Sequence, residues 1–164
     1  DWKAIKAVNE DTSGLWFFNS GPLAGASQPH RHIQLLRRSP NENICPREKW
    51  FLNFNKCKVN NKLFKNIIVR PFNFSKDIND IYRIYVDLSM NIGLGDPLKD
   101  KIPKKPYNLL ITNKWIALIK RANDKILGFS VNALGFAGYL LVTEKSDTRY
   151  LKLNGPEILL ENFV

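Results

Sequence analysis

The sequence is short of the residues that define several common protein classes. Its 164 residues include only two cysteines, Cys45 and Cys57, at positions too far apart for a Cys-x-x-Cys metal pair. Two isolated cysteines argue against a disulfide framework and fit a reducing compartment, so we predict a cytoplasmic protein. No apolar run approaches the roughly 18 to 20 residues that a membrane-spanning helix needs, so no membrane partner is expected.

Acidic residues are also scarce relative to basic ones. The chain has 25 Lys and Arg against 15 Asp and Glu, which gives a formal net charge of +10 at pH 7. A basic surface can bind nucleic acid, an anionic membrane or a small polyanion. The basic residues are scattered, and no helix-turn-helix, zinc-finger or RNA-recognition pattern is found. We therefore predict no specific nucleic-acid partner, with salt-dependent binding to duplex DNA kept as an alternative.

Histidine is equally rare, and both histidines lie in one segment. Residues 19–34 read Asn-Ser-Gly-Pro-Leu-Ala-Gly-Ala-Ser-Gln-Pro-His-Arg-His-Ile-Gln. In a β-strand, residues i, i+2 and i+4 point to the same face, which predicts a polar row formed by His30, His32 and Gln34. The row follows a loop rich in Gly, Ala and Ser, whose backbone can approach a ligand closely.

This arrangement suits nucleophilic attack on phosphorus. A neutral imidazole is a competent nucleophile near pH 7, because its unperturbed pKa is about 6.5. Attack by His32 on a nucleotide α-phosphate would give a phosphoramidate that a second acceptor discharges. Gln34 can donate a hydrogen bond but cannot deliver a proton to a leaving group. A site with Gln at this position therefore favours a leaving group that departs unprotonated, such as a polyphosphate. The Ser27 hydroxyl and the loop amides are suited to hold phosphate oxygens.

Two alternatives to a nucleophilic site stay open at this point. The two histidines can be structural residues of a strand, since a single His-x-His pattern is common. They can also form a zinc site together with the two cysteines, although the cysteine spacing disfavours it.

The complete string at 19–34 resembles the active-site segment of the diadenosine tetraphosphate phosphorylases (ATP adenylyltransferases), a branch of the histidine-triad superfamily. Three later segments, at 107–115, 131–138 and from Asn154 onward, resemble the C-terminal domain of the same family. The resemblance implies a nucleotidyltransferase that converts diadenosine tetraphosphate and inorganic phosphate into ATP and ADP through an adenylyl-histidine. It implies no cofactor or bound metal, except a divalent cation carried with the polyphosphate substrate.

The resemblance also implies roles for individual residues. His32 matches the nucleophile that becomes adenylylated, His30 matches the first triad histidine, and Gln34 stands where the third histidine is replaced. The matched positions that hold or surround the phosphoryl group are Asn19, Gly21, Gly25, Ser27 and Gln28. Because the family has a folded region ahead of this segment, we expect the sequence to be truncated at its N-terminus. A non-catalytic nucleotide-binding fragment is therefore the alternative function.

The expected fold is α+β: a histidine-triad-like antiparallel sheet, incomplete at its N-terminus, with helices packed mainly on one face. Residues 1–60 are predicted to form the C-terminal part of the catalytic half, and 61–164 the C-terminal domain, with packing as a single unit also allowed. Strands are expected at 14–19, 31–36, 64–69, 109–112, 115–120, 126–131 and 139–143.

The remaining segments give weaker predictions. A helix capped by Ser75 is expected to run to about Met90, and a short final helix is expected to start at Gly155 and Pro156. Residues 93–105 are expected to form a long mobile loop. Trp115 and Phe136 are assigned to the core, with adenine stacking as the alternative.

Overall fold

The computed structural model describes residues 2–39, 42–56 and 60–164. Its centre is a five-stranded antiparallel sheet with the strand order β2-β1-β4-β5-β3. The strands are β1 (Gly14–Asn19), β2 (Ile33–Arg37), β3 (Ile67–Pro71), β4 (Tyr107–Ile111) and β5 (Trp115–Lys120). Strand β1 pairs with both β2 and β4, so the two predicted parts of the chain share one sheet. The division at residue 60 itself stays a prediction.

Within the described ranges, six α-helices pack against this sheet. On one face lie α2 (Glu48–Asn53), α3 (Lys62–Lys65), α5 (Ala133–Ala137) and α6 (Thr148–Glu161). On the other face lie α1 (Trp2–Asp11) and α4 (Ile78–Asn91). None of the helices in the described part of the chain is both long and apolar enough to cross a membrane.

Two hydrophobic cores form because the central strands are apolar on both faces. In β1, Leu15 and Phe17 point to the face with α2, α3, α5 and α6, whereas Trp16 and Phe18 point to the face with α1 and α4. This is the alternation that a strand buried on both sides requires. The α+β class and the antiparallel sheet are confirmed. Four helices share one face as expected, but α1 and α4 also cover the other.

Several predicted elements have different bounds in the structure. Helix α4 begins after Asp77, whose Oδ1 accepts a hydrogen bond from the Asn79 amide at 2.8 Å, so Ser75 is not the cap. The strand expected at 126–131 is a hairpin of β6 (Lys125–Ile126) and β7 (Phe129–Ser130). The strand expected at 139–143 is wrong, because these residues form no ladder with any described strand.

One further difference comes from a glycine, and one expected loop is found. Helix α6 begins at Thr148 and is kinked at Gly155, whose φ of 80° lies in the left-handed region, so the final helix is longer than predicted. The segment 93–105 contains neither helix nor strand, as expected of a loop, while its mobility stays a prediction. Its local hydrogen bonds include the Asp96 amide to Asp100 Oδ2 at 2.7 Å and the Lys104 amide to Leu94 O at 2.9 Å.

Candidate functional site

The connection between β1 and β2, residues 20–32, carries most of the predicted site residues and is called the histidine loop. A 3-10 turn at Pro22–Ala24 opens it, and Gly25 follows with a left-handed φ of 79°. A Cβ at Gly25 would lie 2.8 Å from Val131 O and 2.8 Å from Asn132 Cβ. Glycine therefore lets the histidine loop lie directly against the backbone before α5.

The two histidines lie together at the end of this loop. Their ring centroids are 5.2 Å apart with a tilt of 52° between the rings, and His30 is exposed while His32 is half-buried. The Nδ1 atom of His32 lies 3.2 Å from the carbonyl oxygen of His30. A carbonyl oxygen can only accept, so this contact requires a proton on Nδ1 of the neutral ring and leaves the lone pair on Nε2.

The predicted polar row along one strand is wrong for the two histidines. Strand β2 begins at Ile33, which pairs with Phe18, and His30 and His32 precede it. The ladder between β1 and β2 ends at the Phe18–Ile33 pair, where the chain leaves the sheet for the histidine loop, so the two histidines join no ladder in the described part of the chain. Gln34 does lie in β2, opposite Phe17, and its side chain is exposed.

A cleft of about 840 Å³ lies beside the histidine loop, a size typical of small-molecule sites. Its opposite wall comes from α1, α4 and the segment 94–103, including Tyr82, Tyr85 and Lys101. Of the predicted site residues, five line the cleft: Asn19, Gly21, Ser27, Gln28 and His30. The other three, Gly25, His32 and Gln34, do not line it. His32 adjoins the cleft through its contact with His30.

A buried polar network that sequence reasoning missed supports the loop from below. Asn19 Oδ1 accepts hydrogen bonds from Asn108 Nδ2 at 2.7 Å and from the Ala133 amide at 2.9 Å. Asn108, which is fully buried, also donates to the carbonyl of Ala24 at 2.8 Å. The sequence did contain one signal of this network, because Asn108 is a single asparagine within the apolar run of β4. A buried side-chain amide must find hydrogen-bond partners.

Arg121 completes the network as a buried cation. Its side chain is only 3 % exposed, and burial lowers its pKa to about 10, against the opposing effect of Asp124. The guanidinium is thus charged at pH 7. It donates to five neutral oxygens: Asn108 Oδ1 at 2.6 Å, Asn123 O and Val131 O at 2.7 Å, and Ala24 O and Phe163 O at 3.2 Å.

The other candidate residues belong to the core. Trp115 is 1 % exposed and stacks on Phe51 with ring centroids 4.2 Å apart, and Phe136 is fully buried, so neither is available to stack on adenine. Cys45 is fully buried with Sγ 3.3 Å from Ala137 O, and burial raises the pKa of its thiol to about 12. Among the described residues, no group of three His, Cys, Asp or Glu side chains is placed to hold a metal ion. Cys57 lies outside the described residues.

The fold and the loop define a histidine-triad-like protein: an antiparallel α+β sheet whose glycine-shaped loop presents paired histidines. Residues 44–164 match the family described as the ATP adenylyltransferase C-terminal domain, and residues 1–50 match the Ap4A phosphorylase N-terminal domain. The chain belongs to the ATP adenylyltransferase C-terminal domain family, as the sequence resemblance predicted.

Two curated proteins of Saccharomyces cerevisiae are similar to this chain. Diadenosine 5',5'''-P1,P4-tetraphosphate phosphorylase 2 is 29% identical, with a match covering 80% of this chain and 45% of that protein. Protein APA1 is 26% identical, with coverage of 95% and 53%. The chain thus spans about half the length of these relatives.

Solved structures of yeast Ap4A phosphorylase Apa2 share the fold. The first has a TM-score of 0.62 at 21% identity and covers 99% of this chain and 58% of that one. The complex of Apa2 with AMP has a TM-score of 0.62 at 26% identity, with coverage of 90% and 52%. The complex with Ap4A has a TM-score of 0.63 at 22% identity, with coverage of 93% and 53%.

Proposed function

We propose that this chain carries the nucleophile of a diadenosine tetraphosphate phosphorylase and that His32 forms an adenylyl-histidine intermediate. The observation that carries the proposal is the contact between His32 Nδ1 and the His30 carbonyl at 3.2 Å. It assigns the proton to Nδ1 and leaves Nε2 as a nucleophile that needs no deprotonation. The role of His30 in this proposal is to fix that tautomer through its backbone.

The reaction proceeds by two displacements at one phosphorus. In the first, Nε2 of His32 bonds to the α-phosphorus of diadenosine tetraphosphate, the α–β bridging bond breaks, and ATP leaves. In the second, an oxygen of inorganic phosphate bonds to the same phosphorus, the P–N bond breaks, and ADP forms. The leaving ATP needs no proton near neutral pH, which agrees with an amide at Gln34 where a general acid would otherwise be needed.

The histidine loop has the features that a phosphate subsite needs. Asn19, Gly21, Ser27 and Gln28 line the cleft beside His30, and they offer side-chain and backbone donors. Gly25 shapes the loop by its left-handed conformation. The relatives point to the same substrates, because Apa2 is described in complex with AMP and with Ap4A. A divalent cation carried by the polyphosphate would offset substrate charge, and no other cofactor is required by these steps.

The test is direct detection of the intermediate. The full-length natural protein that contains this sequence is incubated with diadenosine tetraphosphate in the absence of inorganic phosphate. The protein is then digested, and mass spectrometry locates any adenylyl group that is labile in acid and stable in alkali. We expect the group on His32 and on no other residue, with its loss in His32→Gly. His30→Gln is the matched control, because it keeps the backbone carbonyl that fixes the His32 ring, and it should still form the adduct.

Each result has a defined meaning. An adduct that survives His32→Gly contradicts the mechanism. Nucleotide binding without any adduct contradicts it too, and supports the non-catalytic nucleotide-binding alternative. Affinity for duplex DNA that falls steeply with salt and is unaffected by His32→Gly would instead support nucleic-acid binding.

A further inference from the structure

We infer that Arg121 and Asn108 are positioning residues that turn the Asn19 amide so that its Nδ2 donates into the phosphate subsite. The inference rests on the proposed function, because it assigns the effect to adenylyl transfer at His32. Neither Arg121 nor Asn108 lines the cleft. Both would act through Asn19, which does.

The orientation begins at Arg121 because a guanidinium has only donors. Its Nη1 lies 2.6 Å from Asn108 Oδ1, so the oxygen of that amide must face the arginine. The NH₂ group of Asn108 then faces the other way, toward Asn19 Oδ1 at 2.7 Å and Ala24 O at 2.8 Å. The side-chain amide of Asn108 is thereby fixed in one orientation.

The same logic fixes Asn19. Its side-chain oxygen receives two donors that cannot accept, Asn108 Nδ2 at 2.7 Å and the Ala133 amide at 2.9 Å. A flipped amide would place Nδ2 against both donors and lose both hydrogen bonds. The Nδ2 group of Asn19 therefore takes part in neither hydrogen bond, and among the described residues it has no protein acceptor. It is available to donate to a ligand.

Arg121 also holds the backbone on both sides of the contact made by Gly25. It donates to Ala24 O at 3.2 Å in the histidine loop and to Val131 O at 2.7 Å in the segment before α5. One rigid planar group thus joins the loop to the α5 segment that supplies the Ala133 amide. Lysine cannot reproduce this, because its ammonium group has no planar fork of donors.

The electrostatics agree with an anionic ligand nearby. In the described part of the chain, every oxygen that accepts a hydrogen bond from Arg121 is neutral, so no carboxylate is bonded to its buried charge. Asp124 acts on Arg121 only through its charge. Apart from this opposing charge of Asp124, the positive charge held below the loop remains to favour a phosphate group beside Asn19.

The test uses Asn108→Asp and Arg121→Lys in the same natural protein. Asn108→Asp keeps an acceptor for Arg121 but removes both donors and sets a carboxylate oxygen against Asn19 Oδ1. Arg121→Lys keeps the charge and removes the fork. We expect the rate constant for His32 adenylylation at saturating diadenosine tetraphosphate to fall about 100-fold in Asn108→Asp, a loss that a 1 Å misplacement can cause. The half-saturating concentration of diadenosine tetraphosphate should change by less than about threefold. Arg121→Lys should slow adenylylation at least tenfold.

A merely structural role would have a different signature. It would lower the melting temperature and the fraction of chain that becomes adenylylated, but not the rate constant of that fraction. Arg47→Lys is the matched control, because Arg47 also donates to a backbone carbonyl, Phe136 O at 3.1 Å, and packs on Trp50. Among the described residues, it makes no hydrogen bond to Asn19, Asn108 or Arg121. Arg47→Lys should lower the melting temperature and leave the rate constant unchanged.

Two results would overturn the inference. One is a wild-type rate constant in the active fraction of both network variants; the other is an equal loss in Arg47→Lys. Either result, with an adduct that still depends on His32, leaves the proposed function standing. Absence of any adduct in the unaltered protein overturns the proposed function and this inference together.

Discussion

The contact between the histidine loop and the backbone before α5 predicts a large cost for Gly25→Ala. Two terms contribute. A left-handed φ of 79° costs an L-residue about 1–2 kcal/mol. The new Cβ would also lie 2.8 Å from Val131 O and 2.8 Å from Asn132 Cβ, and the shift that relieves such crowding costs about 1–3 kcal/mol. We expect a total loss of about 2–5 kcal/mol in the free energy of unfolding.

Two other glycines separate these terms. Gly93 has a φ of 81° but open space around its Cβ position, so Gly93→Ala carries only the backbone term of about 1–2 kcal/mol. Gly21 has an extended φ of 172° and open space, so Gly21→Ala should change stability by less than about 1 kcal/mol. The free energies come from urea unfolding at 25 °C, followed by circular dichroism. A cost for Gly25→Ala no greater than that for Gly93→Ala would refute the close approach of the loop.

Three further predictions concern the helix cap, the core and pH. Asp77→Ala should lower the melting temperature by removing about 1 kcal/mol, because Asp77 caps α4, whereas Ser75→Ala should have no measurable effect. Trp115→Phe should cost less than about 1.5 kcal/mol in urea unfolding, since the buried indole N–H has no partner among the described residues, while Trp115→Ala should cost about 3–5 kcal/mol. Burial raises the pKa of Cys45 from 9.0 to about 12, so the folded chain binds the extra proton between those values and its stability falls as pH rises from 9 toward 12. The cost of Cys45→Ala, measured by urea unfolding, should therefore be about 1.4 kcal/mol smaller at pH 10 than at pH 7.5, and an unchanged cost would contradict the burial of this thiol.

Sequence patterns predicted the elements whose cause is local. The bounds of β1 and β5 match the expected strands, because both are continuous apolar runs followed by polar residues. The expected strand at 139–143 looked similar, but Leu141 is 74% exposed and Val142 is 50% exposed, and no described strand lies beside them. An apolar run predicts a strand only where a neighbouring strand is available, and that depends on the whole fold.

The sequence identified the loop of the candidate site but not the residues that hold that loop in place. The resemblance picked out the histidine loop, while the roles of its residues stay predictions. The orientation of His32 comes from a carbonyl two residues away, which sequence spacing does not reveal. Asn108 and Arg121 were missed because their partners, Ala24 among them, are far away along the chain. The contacts that join Asn108 to Asn19 and Ala24 exist only after β1 and β4 pair.

The proposed covalent intermediate on His32 would leave a stereochemical record at the reacting phosphorus. Diadenosine tetraphosphate with one sulfur on an α-phosphorus can be prepared as separate diastereomers, and phosphorolysis would convert it into adenosine 5'-(1-thiodiphosphate). Phosphorus-31 NMR distinguishes the two configurations of that product. Two successive in-line displacements, first by His32 Nε2 and then by phosphate, predict net retention of configuration. Net inversion would mean that phosphate displaces ATP directly, and would contradict an adenylyl-histidine on the reaction path.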